Sequence, residues 1–161
     1  YSRPEVGTTF RIYLPTIERE IVPVDVLIAP DPEGLARGGN ETILLVDDEE
    51  FIRELGVDVL GRAGYTVLTA SNGEDALELY QKERARIDLV ILDLIMPGMG
   101  GSKCLEELLT MDPDTRVLIA SGYSPDGPTK GALDTGAKGF VSKPYDTSQL
   151  LQLVRKILDR K

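Results

Sequence analysis

Ile43-Leu44-Leu45-Val46-Asp47-Asp48 and Leu89-Val90-Ile91-Leu92-Asp93 decide how this chain is read. Each is a short apolar run that stops on carboxylates. Two further runs end on functional groups, Val117-Leu118-Ile119-Ala120 on Ser121 and Gly139-Phe140-Val141-Ser142 on Lys143-Pro144. An apolar run without polar alternation fits a strand buried on both faces, as in a parallel sheet covered by helices. Strand ends in such a sheet share one edge, so Asp47, Asp48, Asp93, Ser121 and Lys143 are expected to meet there.

Helical patterns fill the intervals. Ile52, Leu55, Gly56, Val59 and Leu60 recur at helical spacing before Gly61 and Gly64. Thr66 to Ala70 reads as the second strand. A helix with Ala76, Leu77 and Tyr80 on its inner stripe follows, capped by Ser71 or Asn72. After the loop Met96-Pro97-Gly98-Met99-Gly100-Gly101 comes a helix carrying Cys104, Leu105, Leu108 and Leu109. A polar loop from Gly122 to Pro128 leads to a fourth helix that Gly131 and Gly136 shorten, expected to be mobile or poorly formed. The last helix sets Leu150, Val154 and Ile157 on one face. Five strand-helix units predict an α/β fold with a doubly wound parallel sheet.

Upstream the pattern changes. Gly7-Thr8-Thr9-Phe10-Arg11-Ile12-Tyr13-Leu14-Pro15 reads as one strand ended by proline. Ala29-Pro30-Asp31-Pro32-Glu33-Gly34 and Gly38-Gly39-Asn40 have linker composition. The expected organisation is an N-terminal extension over 1–15, a linker over 16–40 and the main domain over 41–161. Tyr1 opens the sequence without a methionine, so it reads as a piece of a longer protein or a processed product.

Composition narrows the function. The chain has 161 residues, and its net charge of −9 opposes non-specific nucleic-acid binding and favours a divalent cation or a cationic partner. It contains no histidine, which removes Ser-His-Asp hydrolysis, histidine zinc sites and self-contained histidine kinase chemistry. Cys104 is the single cysteine, so no internal disulfide forms. No apolar stretch approaches the roughly 20 residues needed to cross a bilayer. The reading is a cytoplasmic segment without membrane contact, within a parent that can be membrane-anchored.

Taken singly, each motif has a plain structural role. Asp47-Asp48 can cap a helix beginning at Glu49, Asp93 can sit in a turn, and Lys143 can be a solvated loop residue. Together at four strand ends they read as one site. Three crowded carboxylates repel one another unless a hard cation compensates, and Mg2+ suits oxygen ligands and bridges to phosphate. A carboxylate there can attack phosphorus in line and form an aspartyl phosphate, with no separate base. Lys143 would neutralise the transferred group and the Ser121 hydroxyl would donate to one of its oxygens.

From about Thr42 to Leu158 the sequence resembles a response-regulator receiver domain of two-component signalling. The matching motifs are Leu45-Val46-Asp47-Asp48-Glu49, Asp93 through Met96-Pro97-Gly98, Ser121-Gly122 and Lys143-Pro144. The resemblance implies a flavodoxin-like (βα)5 sheet of strand order 2-1-3-4-5 and Asp93 as phosphoacceptor. It also implies Mg2+ held by Asp48, Asp93 and the Ile95 carbonyl, with Asp47 acting through metal-bound water. Phe140 matches the aromatic switch position that responds to movement at Ser121. Gly100 stands where the family commonly carries aspartate, which is expected to loosen that loop. Gly7 to Pro15 is similar to the closing strand of the ATP-binding domain of sensor histidine kinases. The implied parent is a hybrid sensor histidine kinase with a C-terminal receiver.

The function read from these residues is phosphorelay signalling, with phosphoryl transfer from a phosphohistidine on a kinase or phosphotransfer domain to Asp93. This stretch carries no kinase site of its own; its chemistry is confined to phosphorylation and dephosphorylation of its own aspartate. The competing reading, a degenerate receiver that only docks proteins, requires a missing site residue, and none is missing. A flavodoxin-like small-ligand binder would carry a glycine-rich loop where Asp47-Asp48-Glu49 stands. An aspartyl phosphatase would carry a second aspartate at Ile95.

Overall fold

The computed structural model describes residues 2–3, 7–8, 38–122, 128–144 and 146–160. The chain divides into two compact units, Tyr1–Asp31 and Pro32–Lys161. In the first, β1 (Ser2–Arg3) pairs antiparallel with β2 (Gly7–Thr8), Ser2 opposite Thr8 and Arg3 opposite Gly7. The expected strand over 7–15 is described only at Gly7–Thr8. Its remainder, and the linker over 16–37, lie outside the described residues.

The second unit alternates strand and helix in the predicted order: β3 (Thr42–Val46), α1 (Glu50–Arg62), β4 (Thr66–Ala70), α2 (Gly73–Glu83), β5 (Ile87–Asp93). Then follow α3 (Gly100–Met111), β6 (Val117–Ser121), α4 (Pro128–Thr135), β7 (Gly139–Ser142) and α5 (Thr147–Leu158). The five strands are parallel in the order β4-β3-β5-β6-β7, which is 2-1-3-4-5 counted from β3. Among the described residues no helix is long and apolar enough to cross a membrane.

Successive strand residues point to opposite faces, so the apolar runs divide between two cores. Leu44, Val46, Val90, Leu92, Val117 and Ile119 meet Ala76 and Tyr80 of α2, Cys104, Leu105 and Leu108 of α3, and Ala132 of α4. Ile43, Leu45, Leu89, Ile91 and Leu118 face the other way, onto Leu60 of α1 and Leu150, Leu151, Val154 and Ile157 of α5. Leu55, assigned to the apolar stripe of α1 by its spacing, is 40% exposed instead. The inward positions of that helix go to Gly56 and Leu60, because Gly56 lets the helix approach Leu45 closely.

The fourth helix runs for only eight residues. Pro128 opens α4, where its missing N–H is harmless. Gly136 follows the helix at φ +133°, and its N–H donates to the Ala132 carbonyl at 3.2 Å. Pro128 and Gly136 thus bound the helix, while Gly131 lies inside it. At the opposite edge of the sheet the chain enters over Gly38 and Gly39. Gly39 N–H donates to the Ala63 carbonyl at 3.2 Å, and a Cβ on Gly39 would lie 1.8 Å from Glu41 Oε2. Glu41 itself is paired with Arg155 of α5 at 2.8 Å.

Two glycines should respond to alanine with opposite signs. A Cβ at Gly101 would lie 1.9 Å from the Asp93 carbonyl oxygen, a backbone atom, whereas Gly61 has nothing within 4 Å. Gly101→Ala should cost about 1–3 kcal/mol through overpacking. Gly61→Ala should stabilise α1 by about 0.5–1 kcal/mol. Denaturant unfolding of both variants checks the pair.

Candidate functional site

Each functional group stands at the carboxyl end of a strand because the register puts it there. Val46 pairs with Leu92, so Asp47 follows β3 beside Asp93, the last residue of β5. Asp93 pairs with Ala120, and Ser121 pairs with Ser142. Lys143 then leaves β7, its N–H donating to the Ser121 carbonyl at 2.8 Å. Residues 47, 93, 121 and 143 thus converge on one edge, as expected.

Asp47 and Asp93 are buried, 1% and 5% exposed, while Asp48 is exposed. Lys143 Nζ donates to Asp93 Oδ2 at 2.7 Å and also pairs with Asp47. The second oxygen of each buried carboxylate accepts from a backbone N–H two residues on: Glu49 to Asp47 Oδ1 and Ile95 to Asp93 Oδ1, both at 3.0 Å. Burial, the largest single influence on Lys143, lowers its pKa. The hydrogen bonds and charges of Asp47 and Asp93 outweigh it and hold the ammonium above its ordinary value.

A carboxylate oxygen from each of Asp47, Asp48 and Asp93 lies within 4.8 Å of the others. Three carboxylates gather here with the Lys143 ammonium and the nearby Arg53 guanidinium, and the excess is negative. The donors are all hard oxygens, which suits a divalent cation of the Mg2+ or Ca2+ kind and not a thiolate or imidazole metal. Ile95, half exposed, lies in the turn after β5. Phe140 pairs with Ile119 across the sheet and packs partly against the core under α2, α3 and α4. Ser121 is buried at the end of β6.

Three contributors to this edge carry no local sequence signal. Gly101 lets α3 run against the Asp93 backbone, and its N–H donates to the Leu94 carbonyl at 3.1 Å. Glu74 of α2 accepts from Met99 N–H at 3.0 Å and faces Gly98, which has φ +80°. The loop expected to loosen at Gly100 is thereby tied to α2. Arg53 of α1 donates to the Asp47 carbonyl at 2.7 Å. Sequence spacing could not reveal Glu74, which is 25 positions from its partner.

An open parallel sheet with an acidic, lysine-bridged carboxyl edge places the chain in the flavodoxin-like class. The response regulator receiver domain model matches residues 43–155, and the chain belongs to that family, the receivers of two-component phosphorelay signalling. Sporulation initiation phosphotransferase F of Bacillus subtilis is 37% identical over 122 residues, covering 76% of this chain and 97% of that protein. Sensor kinase CckA of Brucella abortus is 34% identical over 166 residues, covering 99% of this chain. The chain spans only 18% of that kinase's length. A chain of the CheX-CheY-BeF3-Mg2+ complex from Borrelia burgdorferi superposes with a TM-score of 0.72 at 32% identity, covering 74% of this chain and 90% of that one.

The raised Lys143 pKa has a defined pH signature. A cation held above its unfolded value contributes stability that is complete below about pH 10.4 and is lost as pH rises through the folded value. Tyr65 and Tyr80, raised chiefly by burial, weaken in the same alkaline range. Lys143→Met should therefore cost about 1.5–3 kcal/mol at neutral pH. It should also flatten, without abolishing, the alkaline fall in stability seen in urea titrations of the parent.

Proposed function

We propose that Asp93 is the phosphoacceptor of this receiver and that the donor is a phosphohistidine on a kinase or phosphotransfer domain. The observation that carries this reading is the position of Asp93. It is buried at the end of β5, bonded to Lys143 on one oxygen and to the Ile95 N–H on the other, beside two further carboxylates. A carboxylate oxygen of Asp93 attacks phosphorus in line. The new P–O bond forms as the P–N bond to imidazole breaks, and the electron pair stays on the imidazole nitrogen. Lys143 offsets charge on the transferred group, and the Ser121 hydroxyl donates to one of its oxygens.

Asp48, Asp93 and the Ile95 carbonyl are the residues that would hold Mg2+, with Asp47 acting through water; the ion would neutralise phosphoryl oxygens during transfer. Addition of charge at Asp93 draws Lys143 and Ser121 toward it. Phe140, one residue before the pair Val141-Ser142 that lines β6, changes orientation in response. A docking module without phosphorylation is the weaker alternative, because all residues of the acceptor set are present and four of them converge on the sheet edge.

The parent of this receiver is a hybrid sensor histidine kinase, with residues 1–15 as the closing strand of its ATP-binding domain and 16–40 as the linker. The match to a sensor kinase over nearly the whole chain supports this, since it runs through the N-terminal stretch that the shorter relatives do not cover.

Acetyl phosphate with Mg2+ should add one phosphate to the wild-type chain, and mass spectrometry should find no stable adduct on Asp93→Asn. A full adduct on that variant would sink the assignment. Asp48→Asn should weaken Mg2+ binding markedly, because one anionic ligand is lost. Lys143→Met should still fold yet lose the phosphate-dependent NMR shifts at Phe140.

Removing residues 1–37, which spares the packed Gly38 and Gly39, tests the organisation. Receiver stability and Asp93 labelling should remain near the parent values. Unfolding of the truncated chain would make the N-terminal stretch part of the receiver.

A further inference from the structure

We infer that Arg53 is a positioning residue for the acidic turn, setting the direction in which Asp48 projects. The inference rests on the reading of Asp48 as a cation ligand. Asp48 is exposed and, among the described residues, has no ion pair of its own. Its orientation must therefore come from its backbone. Peptide units are planar, so the Asp48 Cα is fixed in space once the peptide planes on either side of it are fixed.

Both planes are pinned. Arg53 Nη1 donates to the Asp47 carbonyl at 2.7 Å, which holds the plane between residues 47 and 48. Asp47 Oδ1 accepts from Glu49 N–H at 3.0 Å, which holds the plane between 48 and 49. Asp47 is itself anchored, since its N–H donates to the Ala70 carbonyl at 3.2 Å and its side chain pairs with Lys143. Arg53 is anchored as well, because its N–H donates to the Glu49 carbonyl at 3.1 Å in the first turn of α1. Its side chain then folds back along the helix, so backbone and guanidinium together bracket Asp48. The N-cap Glu49 makes no side-chain capping bond of its own.

Electrostatics alone predicts the opposite effect. A guanidinium beside a cation site repels the ion, so its removal by itself would tighten Mg2+ binding. If Arg53 positions Asp48, removal should weaken binding instead. Groups that orient metal ligands commonly change affinity by about 10–100-fold. The sign of the change therefore separates the two roles.

The test uses the full chain with Mg2+ as the only probe, comparing wild type, Arg53→Met and Arg53→Lys. In metal-free protein, Arg53→Met should speed hydrogen exchange at the Glu49 N–H, and Arg53→Lys should restore much of the protection. Calorimetry should give Arg53→Met a Mg2+ Kd raised about tenfold, with Arg53→Lys nearer wild type. At saturating Mg2+, acetyl phosphate labelling of Arg53→Met should return close to the wild-type rate. If Arg53→Met does not give a folded NMR spectrum, Arg53→Gln takes its place.

Unchanged Glu49 exchange overturns the bracket. Faster exchange with Mg2+ affinity equal to or tighter than wild type overturns the positioning role. A wild-type chain that binds no Mg2+ overturns the cation reading of Asp48, and this inference falls with it; only where wild type binds does the variant comparison judge Arg53 alone.

Discussion

The Lys143 ammonium, held between the buried carboxylates of Asp47 and Asp93, is the interaction on which the rest of this edge depends. Two anions at neighbouring strand ends repel each other, and each ion taken out of water costs several kcal/mol unless paired. The compensating cation comes from neither strand. It reaches across from the end of β7, with β6 lying between β5 and β7. The pair therefore exists only while the β5-β6-β7 register holds, and the bond from Lys143 N–H to the Ser121 carbonyl is part of that register.

The turns around this pair are held from outside the acidic cluster. Arg53 secures the turn after β3, Glu74 the loop after β5, and Gly101 admits α3 to the back of Asp93. These contacts join α1, α2 and α3 to the edge without adding a ligand to it. The loop from Met96 to Gly101 illustrates the point. Gly98 and Gly100 both adopt positive φ, and α3 starts without a side-chain cap at Met99. A loop of that composition is flexible by itself, and the bond from Met99 N–H to Glu74 gives it an external tether.

Receiver chemistry needs few reactive groups but demands that they be closely placed, because the protein contributes position and electrostatics and little covalent machinery. This chain contains no histidine, so under the proposed reading a donor imidazole would come from outside it. The Glu41–Arg155 pair and the close passage of Gly39 over it tie the entering chain to α5, the last helix of the domain.

The sequence alone determined the architecture and which polar groups gather at the carboxyl edge of the sheet. Buried apolar runs of strand length, separated by helical periodicity, admit a parallel sheet as their only economical packing, and a parallel sheet delivers its strand ends to one edge. Asp47, Asp48, Asp93, Ser121 and Lys143 were legible for that reason. Only the tertiary structure decided which oxygen meets which nitrogen, and that the orienting groups are Arg53, Glu74 and Gly101. It also reversed one local reading: Leu55 faces solvent although its spacing matches the buried stripe. The physical reason is range. Periodicity and turn chemistry act over a few residues, whereas these contacts join peptide groups and side chains from different elements whose approach is set by packing.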